Sequence, residues 1–123
     1  MAAALFSKMF PGHTVISAGT RVVDKEGNSR DGQKLCDFPA AHHVIDCLME
    51  EGVDVRENIR TQLTPAMVSD AERIIVMAEP ATIPDYLQDF PKAIYWDISD
   101  PKGTDLAAHR NTRDIIKELV AKL

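Results

Sequence analysis

Apolar positions along the chain fall into two kinds of run. In the first kind they recur every three or four residues. Leu5, Phe6 and Met9 do so within residues 2–9, a stretch of strong helix formers ended by Pro11-Gly12, and this predicts a short opening helix. Val44, Ile45, Leu48 and Met49 repeat the pattern between Pro39, suited to a first helical turn, and Gly52, suited to a C-terminal cap, so residues 39–51 are expected to be helical. Thr64-Pro65 offers an N-cap and a proline for a further helix through residue 69. A last helix over residues 105–123 is expected to bury Leu106, Ile115, Ile116, Leu119 and Val120, with lysines near its C-terminal end, where the helix dipole favours them.

The second kind of run is short and unbroken. Residues 13–18 (His-Thr-Val-Ile-Ser-Ala), 73–77 (Arg-Ile-Ile-Val-Met) and 93–96 (Ala-Ile-Tyr-Trp) are too short for helices and rich in β-branched or aromatic side chains, so each predicts a strand. The middle one has the composition of a strand covered on both faces, as in a parallel sheet. Residues 80–89 allow a short helix interrupted by Pro84, residues 53–58 form an extended link, and residues 20–37 form a long polar loop. Helices alternating with strands imply an α/β three-layer sandwich with a parallel sheet, whose ligands bind outside the carboxyl ends of the strands, after Ala18, Met77 and Trp96.

Composition narrows the class. A chain of 123 residues has the length of a single domain over 1–123. Its 14 Lys and Arg against 19 Asp and Glu give a net charge of -5, which repels a phosphate backbone and argues against a nucleic-acid partner. No apolar run approaches the roughly 20 residues that span a bilayer, and the first six residues lack the basic and long apolar regions of a signal peptide. Two cysteines without a Cys-x-x-Cys pair suit a reducing, cytoplasmic compartment, and no cofactor or metal is expected. The adjacent His42 and His43 project about 100 degrees apart on a helix and do not share one ion easily. Asp24, Glu26 and Asn28 hint at a calcium loop, but Ser29 stands where its glycine should be and Leu35 where its bidentate glutamate should be.

Five segments in order carry a family resemblance. They are Met1-Ala-Ala-Ala-Leu-Phe, Ser17-Ala-Gly-Thr20, Leu48-Met-Glu-Glu-Gly-Val-Asp54, Asp70-Ala-Glu-Arg-Ile-Ile-Val-Met77 and Trp96-Asp-Ile-Ser-Asp-Pro-Lys-Gly103. Over nearly its whole length the chain resembles the low-molecular-weight protein tyrosine phosphatases and the related thioredoxin-coupled arsenate reductases. The resemblance implies a phosphotyrosine phosphatase-like fold and phosphomonoester hydrolysis. In that family a first strand leads into a Cys-x5-Arg loop, whose thiolate attacks phosphorus while backbone amides and the arginine cradle its oxygens. The following residues look like Ser-Pro-Met-Ala-Glu-Ala, and this sequence starts at the methionine of that run, so first strand, nucleophile and arginine are expected to be missing. The reductases carry redox cysteines where this chain has Met77-Ala78-Glu79-Pro80-Ala81, which disfavours a reductase cycle.

By the same resemblance Asp100, followed by Pro101, matches the aspartic acid that protonates the leaving group and later activates water. Asp97, nearer the strand, is the second choice. Backbone amides of Ala2, Ala3 and Ala4 at the start of the first helix are expected to bind a phosphate-like anion weakly. Cys36 has no arginine six positions on and an aspartate beside it, and Cys47 reads as a small buried hydrophobe. Tyr95 and Trp96 read as strand aromatics of the core, with Tyr86 near the ligand rim.

Three functional readings follow in order: an incomplete phosphatase, inactive as given; a non-catalytic module that binds an anion or a protein; and an enzyme of different chemistry using Asp97 or Asp100. In the family's strand order the missing strand lies between residues 15–18 and 73–77. Its loss leaves unpaired inner edges that could close on each other, take in Arg21-Val22-Val23, or exchange an element in a homodimer, the arrangement favoured here.

Overall fold

The computed structural model describes residues 1–88 and 90–123, which form two compact units. The first comprises Met1–Ser17, Gln33–Ile59 and Ser99–Leu123; the second comprises Ala18–Gly32 and Arg60–Ile98.

Three helices build the first unit. Helix α1 (Ala2–Met9) has the bounds its apolar spacing predicts and buries Leu5, which is 1% exposed. Phe10 and His13 follow it and gather with Phe6 into a ring cluster, Phe6 and Phe10 having centroids 5.0 Å apart. The predicted helix at 39–51 is a 3-10 turn (Pro39–Ala41) running into α2 (His42–Met49). Gly52, at φ 75°, ends it, a conformation that costs any side chain with a Cβ. The last helix of the unit (Leu106–Ala121) packs against both α1 and α2.

That last helix departs from expectation on one side. Its buried residues are His109, Arg113, Ile116 and Val120, a single stripe at helical spacing, while Ile115 is 44% exposed and not buried as its hydrophobicity suggested. Ile115 and Ile116 project about 100 degrees apart, and the buried stripe of this helix runs through Ile116.

In the second unit, helix α3 (Pro65–Asp70) starts where Thr64 Oγ1 accepts the Met67 amide at 3.4 Å, the cap the sequence predicted. Strand β1 (Ile74–Val76) pairs in parallel with β2 (Ala93–Tyr95), with Ile75 opposite Ile94. The remaining helix is numbered α4 (Leu106–Ala121). Val68, Val76 and Leu87 form the core of this unit, with Leu63, Ile74 and Phe90 packed around it. The helix expected over 80–89 reduces to a 3-10 turn (Pro80–Thr82), because Pro84 supplies no amide to continue it; Asp89 lies outside the described residues. Tyr95, expected in the core, is 50% exposed, and its hydroxyl donates to the Leu87 carbonyl.

The fold is α/β with a parallel sheet and helices, as expected, but one predicted strand is missing from the sheet, which has two strands among the described residues. Residues 13–18 form no strand, and none of Val15, Ile16, Ser17 and Ala18 has a backbone hydrogen bond among the described residues. β-propensity alone makes no strand where no neighbour supplies the ladder. Nor does Arg21-Val22-Val23 fill a sheet position: Val22 is buried, its amide donates to Gln62 Oε1, and Val23 bridges Ser29.

Candidate functional site

The Asp100-Pro101 loop is assembled from contacts within five residues. Pro101 restricts the backbone, the amide of Lys102 donates to Asp100 Oδ1 at 2.9 Å, and the Thr104 amide and hydroxyl both donate to the Pro101 carbonyl. Gly103, at φ 81°, supplies the left-handed residue that this turn requires. Asp105 then caps α4, its Oδ1 accepting the Ala108 amide at 2.9 Å. The Asp100 carboxyl group stays exposed, with one oxygen held and the other without a protein partner among the described residues. Such a group can give up and take back a proton.

Beneath the loop lie aromatic and imidazole rings. Lys102 Nζ sits 5.8 Å from the centroid of the Phe38 ring. His109 is 2% exposed; its Nδ1 donates to the Asp105 carbonyl at 2.8 Å and lies 3.4 Å from the Thr104 hydroxyl. His43 follows with its ring 5.1 Å from that of His109, and the His42 ring lies 3.9 Å from that of His43, tilted by 41°. Hydrophobic spacing could not have found His109, because it is a polar residue on the buried stripe of α4; its position seven residues before Ile116 was the available signal.

Asp97, the second choice for an acid, is exposed in the second unit and makes no hydrogen bond among the described residues. Ala2, Ala3 and Ala4 open α1, which has no side-chain cap, so their amides are the unpaired donors of a helix start. Ala3, Ala4 and Ser7 line a cavity of about 240 Å³ together with Val15, Ser17, Asn58 and Ile59. Asp100 and the three alanines belong to the same unit, and no hydrogen bond joins them among the described residues.

Cys47 takes the buried position expected of it. Cys47 is fully buried, its Sγ donates to the Val44 carbonyl, and burial pushes its thiol pKa up against the pull of Arg113. Cys36 is exposed, with its Sγ 4.0 Å from Asp37 Oδ1. No group of three or more His, Cys, Asp or Glu side chains among the described residues could hold a metal ion. Asp24 organises its own turn: Oδ1 accepts the Glu26 and Asn28 amides, and Arg30 pairs with Oδ2 at 2.8 Å. The amide of Asn28 above all holds the Asp24 carboxyl below the usual range. Tyr86 is 38% exposed, with its hydroxyl on the Leu63 carbonyl.

The fold of the chain is shared with solved structures. The chain matches Wzb of Vibrio vulnificus, solved in complex with benzylphosphonate, with a TM-score of 0.76 and 26% identity, over 99% of this chain and 88% of that one. It also has the fold of the YwlE arginine phosphatase from Geobacillus stearothermophilus, with a TM-score of 0.74 and 24% identity, over 98% of this chain and 79% of that one. No protein-family model matches the chain. In sequence it is 28% identical over 126 residues to the probable low molecular weight protein-tyrosine-phosphatase EpsP of Ralstonia nicotianae, spanning 95% of this chain and 79% of that protein. In sequence and fold the chain is therefore similar to low-molecular-weight protein-tyrosine-phosphatases.

Proposed function

We propose that this domain serves phosphomonoester hydrolysis of the low-molecular-weight tyrosine phosphatase type, with Asp100 as the acid that protonates the leaving-group oxygen, and that the sequence as given does not turn over. The observation that carries the first part is the loop itself: an exposed carboxyl group, one oxygen held by Lys102, on a turn stiffened by Pro101 and anchored on the capped start of α4. The second part rests on the sequence, in which neither Cys36 nor Cys47 is followed six positions on by an arginine. A proton donor speeds a displacement only when a nucleophile attacks, and phosphoryl oxygens need a preorganised cradle as charge develops.

Purified protein with an aryl phosphate should give no turnover that responds to Asp100→Ala. Adding a segment ending in Cys-x5-Arg-Ser-Pro before Met1 should create turnover, and Asp100→Ala should then lower it by roughly 10²- to 10⁴-fold, the usual contribution of a positioned acid. Robust hydrolysis by the sequence as given would refute the second part and make Cys36 the first residue to replace. Asp100-insensitive hydrolysis by the extended protein would refute the first and bring Asp97 forward.

A second reading has one observation in its favour. The uncapped amides of Ala2, Ala3 and Ala4 beside a cavity suit weak retention of phosphate or sulfate without catalysis. Titration with inorganic phosphate should move the NMR amide signals of residues 2–5; movement elsewhere alone would remove this reading.

A further inference from the structure

Three of the chain's four histidines meet beneath the Asp100 loop. His42 and His43 open α2, His109 lies in the first turn of α4, and their rings follow one another at 3.9 and 5.1 Å. Two of them are fixed by backbone carbonyls. His42 Nδ1 donates to Pro39 at 2.9 Å and His109 Nδ1 to Asp105 at 2.8 Å, so each keeps its lone pair, the site that takes up a proton, on Nε2. His43 differs: its Nδ1 is buried and has no hydrogen-bond partner among the described residues, so a proton placed there finds no acceptor.

The charged groups of the surrounding elements are engaged elsewhere or point to solvent. On α2, Glu50 pairs with Arg110 and Arg113 of α4, while Asp46 is exposed, as is Asp37 in the turn before. In the loop, Asp100 and Asp105 accept the Lys102 and Ala108 amides, and Lys102 lies over Phe38. On α1, which packs against α4, Lys8 bonds the Glu51 carbonyl, and burial holds the Met1 amine below its usual pKa of 8.0. No ion pair joins the three imidazoles to a carboxylate among the described residues.

We propose that this trio is a pH-sensitive latch on the Asp100 loop, closed while the rings are neutral and released when mild acid charges His43 and His109 together. One imidazolium is tolerated, because a neutral ring packs against it. A second charge lies 5.1 Å from the first, at a His109 side chain that is 2% exposed, where solvent screens little. The repulsion is relieved when the His43 ring swings out beside exposed His42, and His109 then loses the ring that packs against it. His109 holds the Asp105 carbonyl and stands 3.4 Å from the Thr104 hydroxyl, so the same movement loosens the turn that positions Asp100. The open form binds protons better, so acid opens the latch and neutral pH closes it. It acts on the geometry of the loop, whatever chemistry Asp100 performs.

The test is amide exchange at about pH 7.5 and about pH 5.5, a range in which imidazoles titrate and ordinary carboxylates do not, with rates expressed as protection so that the intrinsic pH dependence drops out. The expected result is a roughly tenfold loss of protection in acid at the amides of Thr104 and His109, which bond to Pro101 and Asp105, while residues 116–120 of the same helix keep theirs. His43→Phe keeps a ring against His109 without a charge, and should hold protection within about twofold over the same range. His43→Gln also carries no charge and makes the same comparison if the phenylalanine variant does not fold. His13→Gln, in the Phe6 and Phe10 ring cluster, should leave the loss intact. Equal protection at both pH values in the unaltered protein overturns the proposal, and so does a loss spread evenly along α4, the mark of global unfolding. A loss that persists in the His43 variants, or that His13→Gln abolishes, overturns it too and assigns the titrating group elsewhere.

Discussion

Replacing Arg113 with alanine tests how the first unit is held together. Arg113 is 8% exposed on the inner stripe of α4, and its Nη1 donates to the Cys47 carbonyl at 2.9 Å. That carbonyl needs a side chain. At the end of α2, Glu50 bonds back to Asp46, Gly52 to Met49 and Val53 to Leu48, so the capping turn passes over Cys47, and no backbone amide among the described residues reaches it. Arg113→Ala leaves a buried acceptor without a donor, worth about 1–3 kcal/mol, and removes a packed aliphatic stem, worth about 1 kcal/mol more. The carboxylates of Glu50 and Glu51 lose little, since Arg110 and Lys117 still pair with them in partly exposed positions. A total near 3 kcal/mol is a large share of the roughly 5–15 kcal/mol of a typical domain. Urea unfolding of Arg113→Ala beside Arg110→Ala provides the measurement. Arg110 pairs with the same Glu50 but is 47% exposed, so solvent screens the pair and its loss should cost far less than that of Arg113. Equal losses for the two variants would refute the argument, because they would mean the Cys47 carbonyl does not depend on Arg113.

Glu50, bonded by Arg110 and then Arg113, has its pKa lowered from 4.5 to about 2. Its contribution to stability is therefore whole above the ordinary pKa and lost as pH falls from 4.5 toward about 2. The melting-temperature gap between the protein and Glu50→Gln should close across that window, and a gap independent of pH would contradict this. Gly52→Ala places a Cβ at φ 75° and should cost about 1 kcal/mol in urea unfolding, with no loss arguing that the turn relaxes freely. His109→Ala removes a side chain that is 2% exposed and should cost about 2–3 kcal/mol. It should also speed amide exchange over residues 102–105, which it would leave unchanged if Thr104 and Asp105 hold the loop unaided.

The helices were legible because their determinants are local. The apolar spacing of α1, the Thr64 cap of α3 and the Gly52 stop of α2 each lie within one or two turns of chain, and each stands where the spacing placed it. Strands answer to partners distant in sequence. Ile74–Val76 and Ala93–Tyr95 find one another, whereas residues 13–18, with a similar β-branched content, find no ladder. Ile115 failed for a related reason: hydrophobicity names candidates for burial, and only the stripe through Ile116 and Val120 decides between neighbours.

The same division runs through the candidate site. Asp100, Pro101, Gly103 and the Asp105 cap were readable because a turn is specified by residues next to one another, and here five of them close the loop. What lies under the loop was not readable, since His109 and Arg113 occupy the buried stripe of α4 as polar residues, and their burial is stabilising only through acceptors the fold brings to them. For Arg113 that acceptor is the Cys47 carbonyl, 66 positions away in sequence; for His109 it is the Asp105 carbonyl one turn earlier. Each polar residue therefore adds a side-chain bond at a helix end, the C-terminus of α2 in one case and the start of α4, beside the Asp100 loop, in the other. The Asp105 carbonyl also accepts the backbone amide of residue 109 at 3.2 Å, which leucine would keep, so what the imidazole adds at this buried position is a second donor to that carbonyl and a polar neighbour 3.4 Å from the Thr104 hydroxyl.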